Sequence, residues 1–375
     1  MTRFIALATL LTVLLEGVAA NAAAPTHVPV LVPDGDNLQY LAFWVAKGAG
    51  YFEAEGVEPD LVVPEVPAQA LGKMMANQAP VAVLPPPVYV QLIADHYPVV
   101  LVANLLQNDP IDVVVRRSIF DERHMSGSAP LRARLESLHG LRVCIAPGPP
   151  PRLNALFASM GMEPEREIDV VIRRGPDQNE AFARGDCDVL YAHTPFVEKA
   201  LDDQGAVLLI NQSAGEVPSL ANRQIHVLAV RRDFLGSNRP LVASLVRAIA
   251  RAEALVRADP EATVAAVLRA LPSLDPRHVR TLVGLYRPAV PSDPHVRADA
   301  IPEALALFPA SRSPPSLEGI ALADFVDDTL LDAPGPVAPP HATHRADPRR
   351  WGLGAVLAGA VIAGLVAAWL SRRRA

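Results

Sequence analysis

Apolar residues between positions 28 and 63 follow first a strand-like and then a helical pattern. Residues 28–32 form a short apolar run, which predicts a buried strand. A helix is predicted next, because apolar residues recur at helical spacing at Leu38, Leu41, Ala42, Val45 and Ala46. Gly48 and Gly50 are expected to end this helix, and a second strand is expected from Leu61. This strand–helix–strand order predicts a parallel pair joined by a right-handed crossover.

The same order of strand, polar loop and helix recurs along the chain. Further strands are predicted over residues 79–84, 99–106, 141–146, 169–173, 189–192 and 207–210. Residues 118–138 form a polar excursion between strands, and residues 239–331 are predicted to be helical, with one helix over 241–258. In open α/β sheets ligands bind beyond the carboxyl ends of the strands, so the loops that follow strands are the candidate ligand contacts.

The two ends of the chain predict export and anchoring. Residues 1–24 have an early arginine, a short apolar run and a small-residue cleavage pattern, which together indicate a signal peptide; an uncleaved N-terminal anchor is the alternative. Residues 351–370 are uncharged and about 30 Å long as a helix, which matches the hydrocarbon core of a bilayer. A proline-rich linker over 332–350 precedes this predicted transmembrane helix, and a cytoplasmic tail over 371–375 follows it. We therefore expect an extracytoplasmic globular domain held at the cell membrane by a single-pass helix.

Composition and motifs narrow the function classes. The formal net charge is −6 and no basic patch is visible, so a nucleic-acid partner is not expected. The sequence has no G-x-S-x-G, H-E-x-x-H, Walker or C-x-x-C motif, so no catalytic residue, metal or cofactor is expected. The two cysteines, Cys144 and Cys187, either pair in an oxidising compartment or remain buried thiols.

Four segments carry a resemblance to a known family. Residues 37–57 read N-L-x-x-L-x-x-W-V-A-x-G-x-G-Y-F-x-x-E-G-V, and residues 184–188 form a turn before His193-Thr194-Pro195-Phe196. Residues 112–117 (DVVVRR) and 225–235 (IHVLAVRRDFL) match the two places where the family's chain changes lobe. Together they resemble periplasmic solute-binding proteins of ABC importers, of the nitrate/sulfonate/taurine type with its thiamine-precursor-binding relatives. The resemblance covers residues 28–330.

This resemblance implies an α/β, type II periplasmic-binding-protein fold with two doubly wound lobes and two crossover strands. Lobe one would comprise residues 25–112 and 226–331, and lobe two residues 113–225. The implied function is the solute-binding component of an ABC importer, which closes its lobes on a small solute and delivers it to a membrane permease. Two alternatives stay open: an enzyme like the thiamine-precursor synthases, whose cysteine- and histidine-rich motif is absent here, and a sensor ectodomain that acts through a partner.

Twelve residues at or beside strand ends are the expected ligand contacts: Asn37, Gln39, Tyr40, Leu84, Pro85, Gln107, Asn108, Gly148, Arg152, His193, Thr194 and Phe196. Structural roles compete at several of them, since Asn37 and Gln39 can cap a helix, Tyr40 can pack between lobes and Arg152 can be a solvated first-turn residue. Trp44 is expected in the core and His226 on a crossover strand.

The loop over residues 147–151 bears on the class of ligand. Sulfonate and nitrate binders of this family are similar to one another in a Ser/Thr-rich loop here, whose backbone N–H groups hold the anion. This chain has Pro-Gly-Pro-Pro-Pro, and proline has no N–H to donate. An oxyanion is therefore not favoured, and Tyr40, Phe196 and the amide side chains suit a heteroaromatic or neutral polar solute better.

Overall fold

The computed structural model describes residues 24–35, 37–65, 69–76, 78–148, 150–307 and 314–332. The predicted signal peptide, linker, transmembrane helix and tail lie outside this part of the chain, apart from Ala24 and Asp332. Within the described ranges, no helix combines the length and hydropathy needed to cross a bilayer.

The described residues form ten strands, numbered in chain order: β1 (Thr26–Leu31), β2 (Val57–Val62), β3 (Val81–Leu84), β4 (Val99–Gln107), β5 (Asp112–Val115), β6 (Arg142–Ile145), β7 (Asp169–Ile172), β8 (Val189–Ala192), β9 (Val207–Ile210) and β10 (Gln224–Arg231).

The same part of the chain forms thirteen α-helices: α1 (Leu41–Gly48), α2 (Tyr51–Ala54), α3 (Ala70–Met75), α4 (Pro86–Ala94), α5 (Arg117–Glu122), α6 (Leu131–Glu136), α7 (Pro150–Ala158), α8 (Pro164–Glu167), α9 (Asp177–Arg184), α10 (Phe196–Gln204), α11 (Arg232–Ala258), α12 (Pro260–Ala270) and α13 (Pro276–Tyr286). A 3₁₀ turn over Leu38–Tyr40 leads into α1.

The strands pair into two mixed five-stranded sheets. Sheet one has the order β2-β1-β3-β10-β4, with β10 antiparallel to both of its neighbours. Sheet two has the order β7-β6-β8-β5-β9, with β5 antiparallel to both of its neighbours. The chain passes from sheet one to sheet two between Gln107 and Asp112 and returns between Ile210 and Gln224. The predicted α/β class with two sheets is confirmed, as is the parallel pairing of β1 with β2.

The accuracy of the predicted elements varies along the chain. Strands β8 and β9 have the predicted bounds, whereas β2 begins at Val57 instead of Leu61. The predicted polar excursion over residues 118–138 lies between β5 and β6, and it holds most of α5 and all of α6, two helices that the sequence pattern did not predict. Helix α11 begins at Arg232, well before the predicted residue 241. A non-helical kink at Asn238 divides it into two segments, and Pro240 lies at the start of the second segment, close to the predicted start.

Helix α1 is held tightly against the tail helices. Trp44 is fully buried, as predicted, and its indole Nε1 donates to the Asn37 carbonyl at 3.0 Å. Gly48 lies so close to α12 that a Cβ atom there would meet the Ala266 carbonyl oxygen at 1.8 Å. Gly50 has a φ of 71°, in the left-handed region that favours glycine. The two glycines thus serve different purposes, one for close packing and one for the turn.

Two further links stabilise the region of sheet two. Cys144 on β6 and Cys187 before β8 form a disulfide, with their Cα atoms 5.7 Å apart. Helix α13, from the tail of the chain, packs against α10, where Arg277 and His278 both pair with Asp203. The tail helices therefore contact the elements of sheet two as well as α1.

Candidate functional site

A cavity of about 370 Å³ lies where strand ends of the two sheets face each other. Its walls come from segments that follow β1, β3, β6 and β8, from β10 and from the first connection between the sheets. The lining residues are Pro33, Asp34, Asn37, Gln39, Tyr40, Pro85, Pro87, Val88, Ile111, Gly148, Arg152, His193 and His226. This is the position at which open α/β sheets bind ligands.

The loop after β1 forms a hydrogen-bonded wall of the cavity. Asn37 Oδ1 accepts from the Gln39 backbone N–H at 2.9 Å and so caps the 3₁₀ turn. Gln39 Oε1 accepts from His226 Nε2 at 2.8 Å, and the Tyr40 ring meets the His226 ring edge-on at 5.1 Å. Within the described residues the amide nitrogens of Asn37 and Gln39 have no hydrogen-bond partner, so both remain as donors for a ligand.

Both histidines of the cavity are neutral at physiological pH. Burial, together with the charge of Arg152, lowers the pKa of His226 to about 3. Burial also lowers the pKa of His193 to about 4, against a backbone hydrogen bond to Thr194 that acts in the opposite direction. The His193 Nδ1 donates to the Thr194 carbonyl, which leaves Nε2 as a hydrogen-bond acceptor.

The arginine of the cavity is already paired. Arg152 Nη1 donates to Asp109 Oδ1 at 3.0 Å, and the two side chains are only 14% and 3% exposed. Burial raises the pKa of Asp109, while the nearby Arg152 and Arg223 favour its charged form. Arg152 therefore brings no uncompensated charge to the cavity.

The family follows from comparison of the sequence with family models. A model described as NMT1/THI5-like matches residues 37–263, more than half of the 375 residues. The chain belongs to the NMT1/THI5-like family. The matched range begins at Asn37 in the cavity wall and includes ten more of its lining residues, up to His226. No curated protein sequence matches the chain.

Solved structures share the fold of this NMT1/THI5-like chain at low sequence identity. The alkanesulfonate-binding protein SsuA of Xanthomonas axonopodis pv. citri, bound to MOPS, is 17% identical over 82% of this chain and 99% of its own, with a TM-score of 0.56. The periplasmic aliphatic sulphonate-binding protein SsuA of Escherichia coli is 15% identical over 81% and 93%, with a TM-score of 0.60. A ligand-binding component of an ABC-type import system from Staphylococcus aureus, with zinc bound, is 10% identical over 82% and 98%, with a TM-score of 0.58.

Seven of the twelve expected ligand contacts line the cavity, namely Asn37, Gln39, Tyr40, Pro85, Gly148, Arg152 and His193. The other five lie elsewhere. Leu84 is fully buried in the core beneath sheet one, and Gln107 reaches toward the Pro288 carbonyl at 3.5 Å. Neither residue lines the cavity.

The remaining three residues have structural roles in this NMT1/THI5-like chain. Asn108, at a φ of 66°, donates to the Ser213 carbonyl and accepts from the Asn222 N–H, so it joins the two connections between the sheets. Thr194 is fully buried and donates to Glu198 at 2.5 Å. Phe196 packs against the main core cluster, with its ring centroid 5.6 Å from that of His193.

Six lining residues were not among the expected contacts: Pro33, Asp34, Pro87, Val88, Ile111 and His226. Pro33 and Asp34 belong to the loop after β1, which the strand-end rule marks as a ligand position although neither residue was among the twelve. His226 gave no such signal, since seven of the eight residues of β10 are buried and no alternation marks the side that faces the cavity. No group of three or more His, Cys, Asp or Glu side chains within the described ranges is arranged to hold a metal ion.

Proposed function

We propose that this chain is the solute-binding component of an ABC-type importer and that it takes a small, uncharged polar or heteroaromatic solute into the cavity between its sheets. One observation carries the proposal: side chains from the strand ends of both sheets line a single cavity beside the connections that join them. A molecule in this position contacts both halves of the fold, so its binding favours the closed arrangement.

The ligand class follows from the chemistry of the cavity walls. Tyr40 and the prolines at positions 33, 85 and 87 offer flat apolar surfaces for a ring. The amides of Asn37 and Gln39 offer N–H donors, and neutral His193 offers an acceptor. With Arg152 paired to Asp109, the remaining charged group of the lining is Asp34, whose carboxylate can accept from the N–H groups of a neutral polar ligand.

Closure requires a hinge, and the two connections between the sheets supply one. They are bonded to each other through Asn108, and Asp112 accepts from both the backbone N–H and the hydroxyl of Ser213. These contacts confine bending to a short region while they keep the two connections in register. We infer a hinge at this position, next to the cavity, with the sheets rotating about it as units.

The site of action is proposed to be outside the cytoplasm, at the membrane surface. The sequence predicts a signal peptide over residues 1–24 and a transmembrane helix over residues 351–370, with a linker between the helix and the globular part. The Cys144–Cys187 disulfide fits an oxidising compartment. The membrane permease that receives the solute is the proposed partner.

A binding role is favoured over a catalytic one. Both cysteines are joined in the disulfide, so neither provides a thiol nucleophile. The cysteine- and histidine-rich motif of the thiamine-precursor synthases is absent from the sequence.

The test is a thermal-shift screen of the purified full-length chain with neutral heteroaromatic compounds, amino acids, sulfonates and nitrate. A true ligand raises the melting temperature because it binds only the native state. At a concentration of 100 Kd it raises the free energy of unfolding by about 2.7 kcal/mol. Each hit is then recovered and analysed by mass spectrometry. Recovery of the unchanged compound supports a binding protein, whereas conversion of the compound would establish an enzyme.

A further inference from the structure

We propose that Asp109 sets the charge selectivity of the cavity: by neutralising Arg152 it excludes small oxyanions such as sulfonates, and its loss converts the cavity into an oxyanion site. This inference rests on the proposed solute-binding function and adds the residue that decides which class of solute enters.

The position of Arg152 makes it the natural anion ligand of the cavity. It lies in the first turn of α7, lines the cavity and is only 14% exposed. Its charge acts on both His193 and His226, which belong to opposite walls of the cavity. A planar guanidinium in such a water-poor position would bind a sulfonate or carboxylate through charge-assisted hydrogen bonds if it were unpaired.

Asp109 removes that possibility. Its carboxylate lies 3.0 Å from Arg152 Nη1, is 3% exposed and comes from the first connection between the sheets, not from the cavity wall. An anion that approached Arg152 would therefore meet a buried negative charge directly behind it, in a region of low dielectric where repulsion is weakly screened. Arg223 also acts on Asp109, but it does not line the cavity.

Among the described residues, two other usual sources of anion binding, a helix N-terminus and charged histidines, contribute little here. Helix α7 begins with Pro150 and Pro151, which have no N–H groups to present at the helix N-terminus. His193 and His226 are buried and uncharged, as their lowered pKa values of about 4 and about 3 indicate. The choice between neutral and anionic solutes thus depends on the Asp109–Arg152 pair and on the lining carboxylate Asp34, and we assign the larger share to the pair.

The test is calorimetric titration of the full-length chain with sodium methanesulfonate at constant ionic strength. Four proteins are compared: the wild type, Asp109→Asn, the double variant Asp109→Asn/Arg152→Gln, and Asp34→Asn. Asparagine keeps an oxygen that accepts from Arg152 but removes the charge, so the arginine stays in place. Asp34→Asn is the matched control, because it removes an equal charge from the cavity lining without altering the Asp109–Arg152 pair.

We expect Asp109→Asn to bind methanesulfonate at least about tenfold more tightly than the wild type, in line with the strength of a charged hydrogen bond. The double variant should lose this gain in affinity. Asp34→Asn should improve the binding free energy by less than half as much as Asp109→Asn does. Equal affinity of the wild type and Asp109→Asn, an undiminished gain in the double variant, or an equal gain in Asp34→Asn would each overturn the proposal. Should Asp109→Asn fail to fold, Asp109→Ser takes its place with the same expectations.

Micromolar affinity of the wild type for methanesulfonate would also overturn the inference, and this measurement needs no variant. The result is separable from that of the solute screen. The titration measures the charge balance of the cavity whether or not the natural solute has been found, and a neutral ligand can be found even if Asp109→Asn gains nothing.

Discussion

The two walls of the cavity are built in different ways. Nine lining residues come from the elements of sheet one, whereas sheet two contributes only Gly148, Arg152 and His193. The sheet-one wall is an interlocked set, with Asn37 capping its own turn and His226 bonded to Gln39. The sheet-two wall is sparse, and its arginine is neutralised from outside the lining. Under the proposed function, we expect a solute to dock first on the preformed sheet-one wall and sheet two then to close over it.

The largest expected effect concerns the support behind the sheet-one wall. Gly48→Ala should lower the free energy of unfolding by about 3 kcal/mol, because the new methyl group would overlap the Ala266 carbonyl and push α1 away from α12. Denaturant unfolding measures this loss. Gly72→Ala is the control: no atom lies within 4 Å of a Cβ placed there, so the free energy should change by less than about 1 kcal/mol. Equal effects of the two substitutions would show that the wall does not depend on this contact.

The next prediction concerns the pH dependence of His226 on the sheet-one wall. Its folded pKa of about 3 lies below the ordinary value of 6.5, so the unfolded chain takes up the proton first as the pH falls. The wild type should therefore lose stability, on the order of 1–3 kcal/mol, between pH 6.5 and pH 4. His226→Asn should be less stable at pH 7, since Gln39 loses its hydrogen bond, but it should lack this part of the acid loss. Parallel curves for the two proteins from pH 7 to 4 would contradict the prediction.

Glu198 should show the opposite slope on the sheet-two side. Burial raises its pKa from 4.5 to about 7, against the hydrogen bond from Thr194. The native state thus keeps a proton that the unfolded chain has lost, and stability should fall by about 1–2 kcal/mol as the pH rises from 4.5 to 7. Asp112, whose pKa burial raises to about 7, gives a decline of the same sign, so Glu198→Gln should make the decline shallower, whereas the exposed Glu180→Gln should leave it unchanged. An equally steep decline in Glu198→Gln would contradict the prediction.

The smallest expected effect tests the contribution of the Tyr40 hydroxyl. Tyr40→Phe keeps the ring that packs on His226, so the free energy of unfolding should change by less than about 0.5 kcal/mol. Solute affinity should fall about threefold to tenfold if the hydroxyl bonds the ligand, and Tyr40→Ala should lower it further by removing the stacking surface. Calorimetry with the best solute from the thermal screen measures both, and unchanged affinity in both variants would remove Tyr40 from the site.

Sequence reasoning reached much of the fold and part of the site because both depend on local patterns. Short apolar runs and helical spacing predicted most strands and helices, and the strand-end rule led to Asn37, Gly148 and His193 at the cavity. The Asp109–Arg152 pair could not be predicted, since it joins residues 43 positions apart across two elements. Asn108 and Thr194 were misplaced for a related reason: they lie at strand ends as expected, but their side chains bond to distant protein groups instead of the cavity.

The most direct test of the account is a crystal structure of the full-length chain with the solute that raises its melting temperature most. The account predicts electron density for that solute in the cavity, in contact with Tyr40 or Gln39 on one wall and with Arg152 or His193 on the other. Density at another position, or contacts confined to one sheet, would contradict the claim that this protein grips its solute between two halves.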